Sequence, residues 1–160
     1  MTHTSRVDRT DRAIIEQLRR DCRLTNSELA DRVGLTPSPC LRRIKKLEQD
    51  GVILGYHARI SPEVLGRSFE VHVDFDLTDQ AQSTVERFEA ALVGCPEVVE
   101  ARRMFASPDY RVLVAVADLA AYERFMSRRL TALPGVARLQ SHFAMKTLKA
   151  DVPLPPAGGR

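Results

Sequence analysis

The chain has 160 residues, of which 44% are hydrophobic and 28% charged, as expected for a water-soluble protein with a sizeable core. It contains no 18-residue apolar run that could span a bilayer, and "MTHTSRVDRTDR" lacks the apolar centre of a secretion signal. Three cysteines without close spacing argue against a disulfide framework and a zinc site. We therefore expect a cytoplasmic protein with no metal or other cofactor and no membrane partner.

The excess positive charge lies entirely in the first third of the chain. Residues 1–56 carry 11 Lys and Arg against 8 Asp and Glu, whereas residues 57–160 carry 13 of each kind. A small basic module joined to a neutral one indicates that the first part meets a polyanion and that the second has another role.

Two short helices are predicted near the N-terminus. Asp8 and Asp11 resemble an N-cap pair, and the apolar residues that follow recur at helical spacing to about Asp21. "TNSE", starting at Thr25, has the form of a capping box, and Gly34 is a left-handed stop for the second helix.

A third helix is predicted to begin at once, because Thr36 can cap it and Pro37 suits its first position. Its packing face is formed by Cys40, Ile44 and Leu47, and the opposite face is basic. Gly51 closes this helix. "VILGYHARI" is then predicted to form two short strands turning at Gly55, the hairpin of a wing.

Two short capped helices with a basic second helix are typical of a helix-turn-helix, whose second helix enters the major groove of double-stranded DNA. Basic side chains there can neutralise phosphates or bind guanine edges, and hydroxyls at the helix start can bond phosphate oxygens. The predicted DNA contacts are Thr36, Ser38, Pro39, Arg42, Arg43, Lys45 and Lys46.

The pattern changes after the turn-rich "SPEVLG". The sequence then predicts strand, helix, strand, strand, helix and strand, which is the ferredoxin-like arrangement. We expect strands near 69–77, 98–106, 110–117 and 136–148, and helices near 79–95 and 118–133. The fold class is thus α+β, with an N-terminal winged helix-turn-helix followed by a ferredoxin-like βαββαβ domain. Expected boundaries are 1–60 for the first domain, 61–67 for a linker, 68–149 for the second domain and 150–160 for a flexible tail.

One strand indicates self-association. In "YRVLVAVA" both faces are largely apolar, although Arg111 interrupts one of them. Two helices of one subunit can cover only one face of the sheet, so we expect a second subunit to cover the other.

The stretch from Val7 to Gly66, with its "GLTPSPCLRRIKKLE" core and "GVILGYHA" wing, closely resembles the N-terminal half of the Lrp/AsnC family of transcriptional regulators. The remainder is similar to that family's effector domain through "DY", "AYERF" and "LPGV". This resemblance implies a homodimer formed through the ferredoxin-like domains, commonly assembled into octamers, with an amino acid or related metabolite bound between dimers. A ligand that prefers one assembly would change DNA affinity by linkage.

The resemblance also implies an effector pocket. The chain departs from the family here, because Phe105 and Ala106 occupy the place of a Thr-Gly pair and leave less room for a ligand carboxylate. Asp109 could hold an ammonium group. The expected pocket residues are Phe105, Ala106, Ser107, Asp109, Tyr110, Gly135, Val136 and Ser141.

The same predicted architecture also occurs in an enzyme family, and its strand order also occurs in RNA-binding domains. The siroheme decarboxylases share the two-part architecture and would need His or Arg groups around a tetrapyrrole, for which His72 and His142 are available on polar strand positions. The chain has no nucleophile paired with a histidine, so we expect no catalytic residues. RNA binding through the sheet would need aromatic platforms, and the central strands offer only Phe105 and Tyr110.

Overall fold

Residues 7–148 are described here from a computed structural model, in which the chain forms two compact units divided between Ala58 and Arg59. The predicted tail, residues 150–160, lies outside the described residues, as does Lys149 at the end of the predicted second domain.

The first unit contains the three predicted helices, α1 (Arg9–Arg20), α2 (Asn26–Val33) and α3 (Pro37–Gln49). Both predicted capping boxes are present. The Thr25 amide donates to Glu28 at 2.8 Å, and the Glu28 amide donates to the Thr25 hydroxyl at 3.3 Å. Gly34 ends α2 with φ +69°, as its position predicts. The core of the unit consists of Ile14, Leu29, Ala30, Cys40 and Leu47.

Thr36 occupies the N-cap position of α3, but its hydroxyl makes no capping bond. An N-cap side chain accepts from the amide of the second or third helical residue. Pro37 and Pro39 lack amide hydrogens, so the amide of Ser38 is the only donor that these positions retain. Thr36 is thus the N-cap residue, as predicted, but only one of the two amides that its side chain could bind is present, and no such bond is formed.

The predicted hairpin after α3 is also absent, because residues 52–60 contain no strand. The amides of Val52 and Ile53 both donate to the carbonyl of Leu47, at 2.9 and 3.0 Å, so they complete the end of α3 and cannot pair with a second strand. Tyr56 follows, and its hydroxyl donates to Glu48 at 2.9 Å. The segment is therefore held along α3.

The second unit has the predicted βαββαβ order and a four-stranded antiparallel sheet with strand order β2-β3-β1-β4. Its elements are β1 (Phe69–Leu77), α4 (Gln82–Val93), β2 (Val98–Arg103), β3 (Tyr110–Val116), α5 (Leu119–Arg128) and β4 (Val136–Phe143).

Three elements, β2, α5 and β4, end at least three residues before their predicted ends. β2 stops at Arg103, and α5 stops at Arg128 because Arg129 leaves helical geometry and a short 3-10 turn follows. That turn buries Leu130. β4 stops at Phe143, which pairs with Val71 near the start of β1, so little of β1 remains for later residues to pair with.

The helices cover one face of the sheet, where Val71, Val73, Phe75, Val112 and Val114 are fully buried. The other face is not covered within the described chain and is strongly polar. Its best-defined contact is the pair of 2.9 Å bonds that Arg111 donates to Asp74. The guanidinium holds the pKa of the Asp74 carboxyl below its usual range.

Candidate nucleic-acid interface and effector site

The outward face of α3 is a continuous polar surface. An open groove of about 550 Å³ runs along it from Ser38 to Asp50. The twelve steps from residue 38 to residue 50 span roughly 18 Å at 1.5 Å per residue. The major groove of B-DNA is wide enough to admit an α-helix. The amphipathic pattern produces this surface, because Cys40 and Leu47 turn inward and leave the intervening polar positions exposed.

The basic residues of α3 have different surroundings. Arg42 and Lys45 are exposed, and within residues 7–148 neither forms an ion pair. Lys46 is also exposed, but its ammonium group lies 2.8 Å from an oxygen of Asp50 at the end of the helix. Arg42 and Lys45 can therefore bind phosphates without breaking an ion pair. Lys46 would first have to leave Asp50, and an exposed ion pair of this kind contributes little to stability.

Arg43 faces the protein. Its guanidinium donates to Asp8 and to Asp11 at 2.7 Å each, and these carboxylates form the cap of α1. Bonds to the Asp11 amide and to Arg43 lower the pKa of the Asp8 carboxyl, and the two carboxylates raise the pKa of Arg43. The structure therefore gives Arg43 a role in holding α3 against α1, in contrast to the predicted DNA contact.

The start of α3 is held by one bond from α2. The Asn26 side-chain amide donates to the carbonyl of Pro37 at 2.8 Å. Thr36 and Ser38 are exposed and Pro39 is half-buried. The free hydroxyls of Thr36 and Ser38 and the Ser38 amide can bond phosphate oxygens, and the prolines fix the backbone that presents them.

Leu41 belongs to the same face and is not among the DNA contacts predicted from the sequence. It is 42% exposed and lines the groove together with Ser38 and Lys45. These positions are three and four residues apart, so they share one side of the helix. That spacing was the signal available in the sequence. An apolar side chain on a DNA-facing helix can contact the methyl group of thymine.

The predicted effector residues surround the end of β1 in the second unit. Phe105 lies in the β2–β3 loop with its side chain fully exposed, and Ala106 and Ser107 beside it are exposed too. The Ser107 hydroxyl donates to Asp76 at 3.1 Å. Arg138 donates to the same carboxylate, and both contacts lower the pKa of Asp76.

Asp109 and Tyr110 already have protein partners. One Asp109 oxygen accepts a 2.7 Å bond from the amide of Leu77, which ties the loop to the end of β1. Tyr110 is buried, and its hydroxyl donates to Glu89 at 2.7 Å. Burial and the Glu89 carboxylate raise the pKa of Tyr110 to about 12. A buried Tyr110 cannot serve as a stacking platform for RNA.

Gly135 and Val136, at the start of β4, lie beside the same end of β1. The Gly135 carbonyl accepts from the amide of Thr78 at 2.8 Å, and Val136 pairs with Leu77. Gly135 has φ +75°, and a Cβ atom there would lie 2.4 Å from the Thr84 methyl group. Only glycine fits this approach.

Ser141 is the one predicted effector residue that lies apart from this cluster. It pairs with Val73, four residues along β1 from Leu77, or roughly 13 Å away. Its hydroxyl is bonded to that of Tyr122 beneath α5. The structure thus brings together the loop residues with Gly135 and Val136, and it separates Ser141 from them.

Within residues 7–148, no group of three or more His, Cys, Asp and Glu side chains is arranged to hold a metal ion. No helix there has the length and apolar character needed to cross a membrane. His72 and His142 pair across β1 and β4, and the His142 Nε2 atom lies 3.5 Å from Asp74.

A capped helix pair with an exposed basic helix, joined to a separate βαββαβ unit, defines the class of transcriptional regulators that bind DNA and carry a ligand-binding domain. The profile of winged helix-turn-helix DNA-binding domains matches residues 7–53, and the profile of the Lrp/AsnC ligand-binding domain matches residues 70–154. The chain belongs to the Lrp/AsnC family of DNA-binding transcriptional regulators.

Its relatives agree with this assignment. It is 40% identical over 142 residues to the Bkd operon transcriptional regulator of Pseudomonas aeruginosa, covering 89% of this chain and 93% of that one. It is 36% identical over 143 residues to the leucine-responsive regulatory protein of Escherichia coli K12, covering 89% and 87%. A Neisseria meningitidis transcriptional regulator solved as an L-Met complex superposes with TM-score 0.84 and 35% identity, covering 92% of this chain and 96% of that one. None of these relatives supports the alternative of a siroheme decarboxylase.

Proposed function

We propose that this chain regulates transcription by placing α3 in the major groove of double-stranded DNA. The observation that carries the proposal is the separation of roles on α3. Arg43 is bound to the α1 cap, whereas Arg42 and Lys45 face solvent and form no ion pair with any residue between 7 and 148. In the proposed complex Arg42, Lys45 and Lys46 contact phosphates or guanine edges.

The remaining contacts come from the start of the helix and from its apolar position. Thr36 and Ser38 bond phosphate oxygens, Pro39 packs beside the sugar-phosphate backbone, and Leu41 lies against a thymine methyl group. Because the phosphate contacts release counterions, binding weakens steeply as salt is added.

We propose further that an amino acid or a related metabolite binds near the end of β1 and changes DNA affinity by linkage. The loop of Phe105, Ala106 and Ser107 and the close turn at Gly135 support this location. The Asp109 oxygen that is not bonded to the Leu77 amide, together with Tyr110 and Val136, completes the proposed site. Ser141 is left out, because its hydroxyl is bonded to Tyr122.

The proposed assembly is a homodimer joined through the uncovered sheet face, with octamers formed from dimers. Leu113, which is half-buried, gives that face an apolar position on β3, and the charged pair Asp74 and Arg111 lies beside it. We place the protein in the cytoplasm, assign it no catalytic activity, and take 1–60, 61–67 and 68–149 as its DNA-binding domain, linker and effector domain.

Footprinting of the purified chain on the DNA upstream of its own coding sequence tests the proposal. A twofold dimer should protect two half-sites separated by about 10 base pairs or a multiple of that distance. Adding amino acids one at a time, with methionine and leucine in the panel, should change the protected length or the affinity for one of them. Equal, unstructured protection of every fragment would contradict sequence-specific regulation.

A further inference from the structure

A second concave site lies at the opposite end of β3 from the effector loop. It is an open cleft of about 540 Å³, bounded by the turn before β1, the loop before β2, the end of β3 and one side of α5. The seven residues of β3 separate this cleft from the loop at Tyr110 by roughly 20 Å, so the two sites are distinct.

The cleft concentrates positive charge, although residues 57–160 carry no net charge as a whole. It is lined by four exposed arginines, and in the described part of the chain none of them forms an ion pair. Glu97 is the only acidic residue in the lining. These arginines are Arg67, Arg124, Arg128 and Arg129.

The helix alone does not account for this cluster. A basic residue in the last turn of α5, such as Arg128, favourably meets the negative end of the helix dipole. Arg124 lies in the middle of α5, and Arg67 comes from a different segment. The Arg67 guanidinium donates to the carbonyl of Pro96 at 3.0 Å, which fixes it across the cleft. Like charges gathered from separate segments repel one another unless an anion joins them.

Besides the arginines, the cleft has an apolar wall and an acceptor, a Glu97 oxygen, that lacks a hydrogen-bond partner in the described chain. Ala115, Val116 and Phe125 are each only 5 or 6% exposed and form an apolar wall. The Oε2 atom of Glu97 is buried without a hydrogen-bond partner. A buried carboxylate oxygen without a donor is unfavourable, so a ligand that supplies an O–H or N–H group would be stabilised there.

We propose that this cleft binds a nucleotide. Its phosphates meet the guanidinium groups, whose planar donor arrangement matches phosphate oxygens. A ribose hydroxyl or an amino group of the base donates to Glu97, and the base lies against Phe125 and Val116. A volume near 540 Å³ is within the usual range for small-molecule sites.

The test measures direct binding of AMP, ATP, adenosine and inorganic pyrophosphate to the full-length chain by titration calorimetry at physiological salt. No DNA is added, so the result does not depend on the proposed function. AMP and ATP should bind and adenosine should bind much more weakly. The double variant Arg124→Gln/Arg128→Gln should lose at least about tenfold in nucleotide affinity, the range expected when charge-assisted hydrogen bonds are removed. The matched control, Arg87→Gln/Arg102→Gln, changes two exposed arginines outside the cleft and should bind like the parent.

Glu97→Gln separates a nucleotide site from a simple anion site. The substitution removes a negative charge that repels any bound anion, so pyrophosphate should bind as well as before or better. AMP should bind more weakly relative to pyrophosphate, because only AMP loses the hydrogen bond that it donates to the Glu97 carboxylate. Circular dichroism of each variant checks that it is folded. Three results would overturn the proposal: no nucleotide binding at millimolar concentration, equal losses in cleft and control variants, or pyrophosphate and AMP responding identically to Glu97→Gln. Weaker binding of duplex DNA in the cleft variants, with no nucleotide binding, would show a DNA contact surface instead.

Discussion

Replacing Arg42 and Arg43 separately by alanine should produce two different defects, although the residues are adjacent. Arg43 makes 2.7 Å contacts with both Asp8 and Asp11, and the Asp11 side chain is only 14% exposed. The less exposed of the two ion pairs, the one with Asp11, contributes about 1 kcal/mol or less. Arg43→Ala should therefore lower the melting temperature of the helical unit by about 4–8 °C per kcal/mol lost.

Arg42 has no ion-pair partner in residues 7–148, so Arg42→Ala should leave the melting temperature unchanged. It should instead remove one phosphate contact and reduce the magnitude of the salt slope of DNA binding by about 0.9. Thermal melting followed by circular dichroism measures the first effect, and binding isotherms at several salt concentrations measure the second.

The reasoning is refuted if Arg43→Ala reduces the salt slope without affecting melting, since Arg43 would then be a DNA contact. A salt slope unaltered by Arg42→Ala would equally contradict the placement of α3. Measuring the slope of Arg43→Ala well below its melting temperature keeps the two effects apart.

Three further predictions follow from other parts of the structure. If Leu41 contacts a thymine methyl group, replacing thymine by uracil in a bound fragment should weaken binding of the parent by about 1 kcal/mol or more and leave Leu41→Ala unaffected; equal losses in both proteins would exclude the contact. Gly135→Ala should lower the free energy of unfolding by about 1–3 kcal/mol through its positive φ and the approach of Thr84, and Thr84→Ser, which removes the clashing methyl group, should restore part of it in urea titrations. The pKa of Asp74 and that of Asp76 are lowered in the folded chain. Their contribution to stability is therefore present above the unfolded pKa of about 3.9 and is lost as the pH falls below it. Unfolding titrations between pH 6 and pH 3 should show this loss of stability, and Asp74→Asn should make the loss smaller.

Local signals in the sequence were sufficient for the helices of the first unit. The capping pair of Thr25 and Glu28 and the stop at Gly34 act within a few residues, so the start and end of α2 can be predicted from neighbouring positions. The alternation of apolar and polar residues in β1 is likewise a local signal: Val71, Val73 and Phe75 are buried because their face packs against the helices.

Contacts between distant residues could not be predicted in this way. Arg43 lies among the basic residues of α3, and this pattern predicted that it faces outward. Its guanidinium instead binds Asp8 and Asp11, which lie 35 and 32 residues away in the chain. The segment after α3 has strand-like composition, but the amides of Val52 and Ile53 donate to the Leu47 carbonyl, so no hairpin forms. Ser141 matches the family pattern, but its hydroxyl is bonded to Tyr122.

The central claim is that the outward face of α3 lies against the duplex. Photocrosslinking tests it most directly, with a reactive group on Ser38→Cys in a Cys22→Ser background, since Cys22 is exposed and the other two cysteines are buried. A matched probe on Arg19→Cys, an exposed position on α1, serves as the control. The account predicts crosslinks to DNA from position 38 that compete with unlabelled upstream DNA, and few from position 19. Crosslinks from position 19 alone, or from neither position under conditions where DNA is bound, would contradict it.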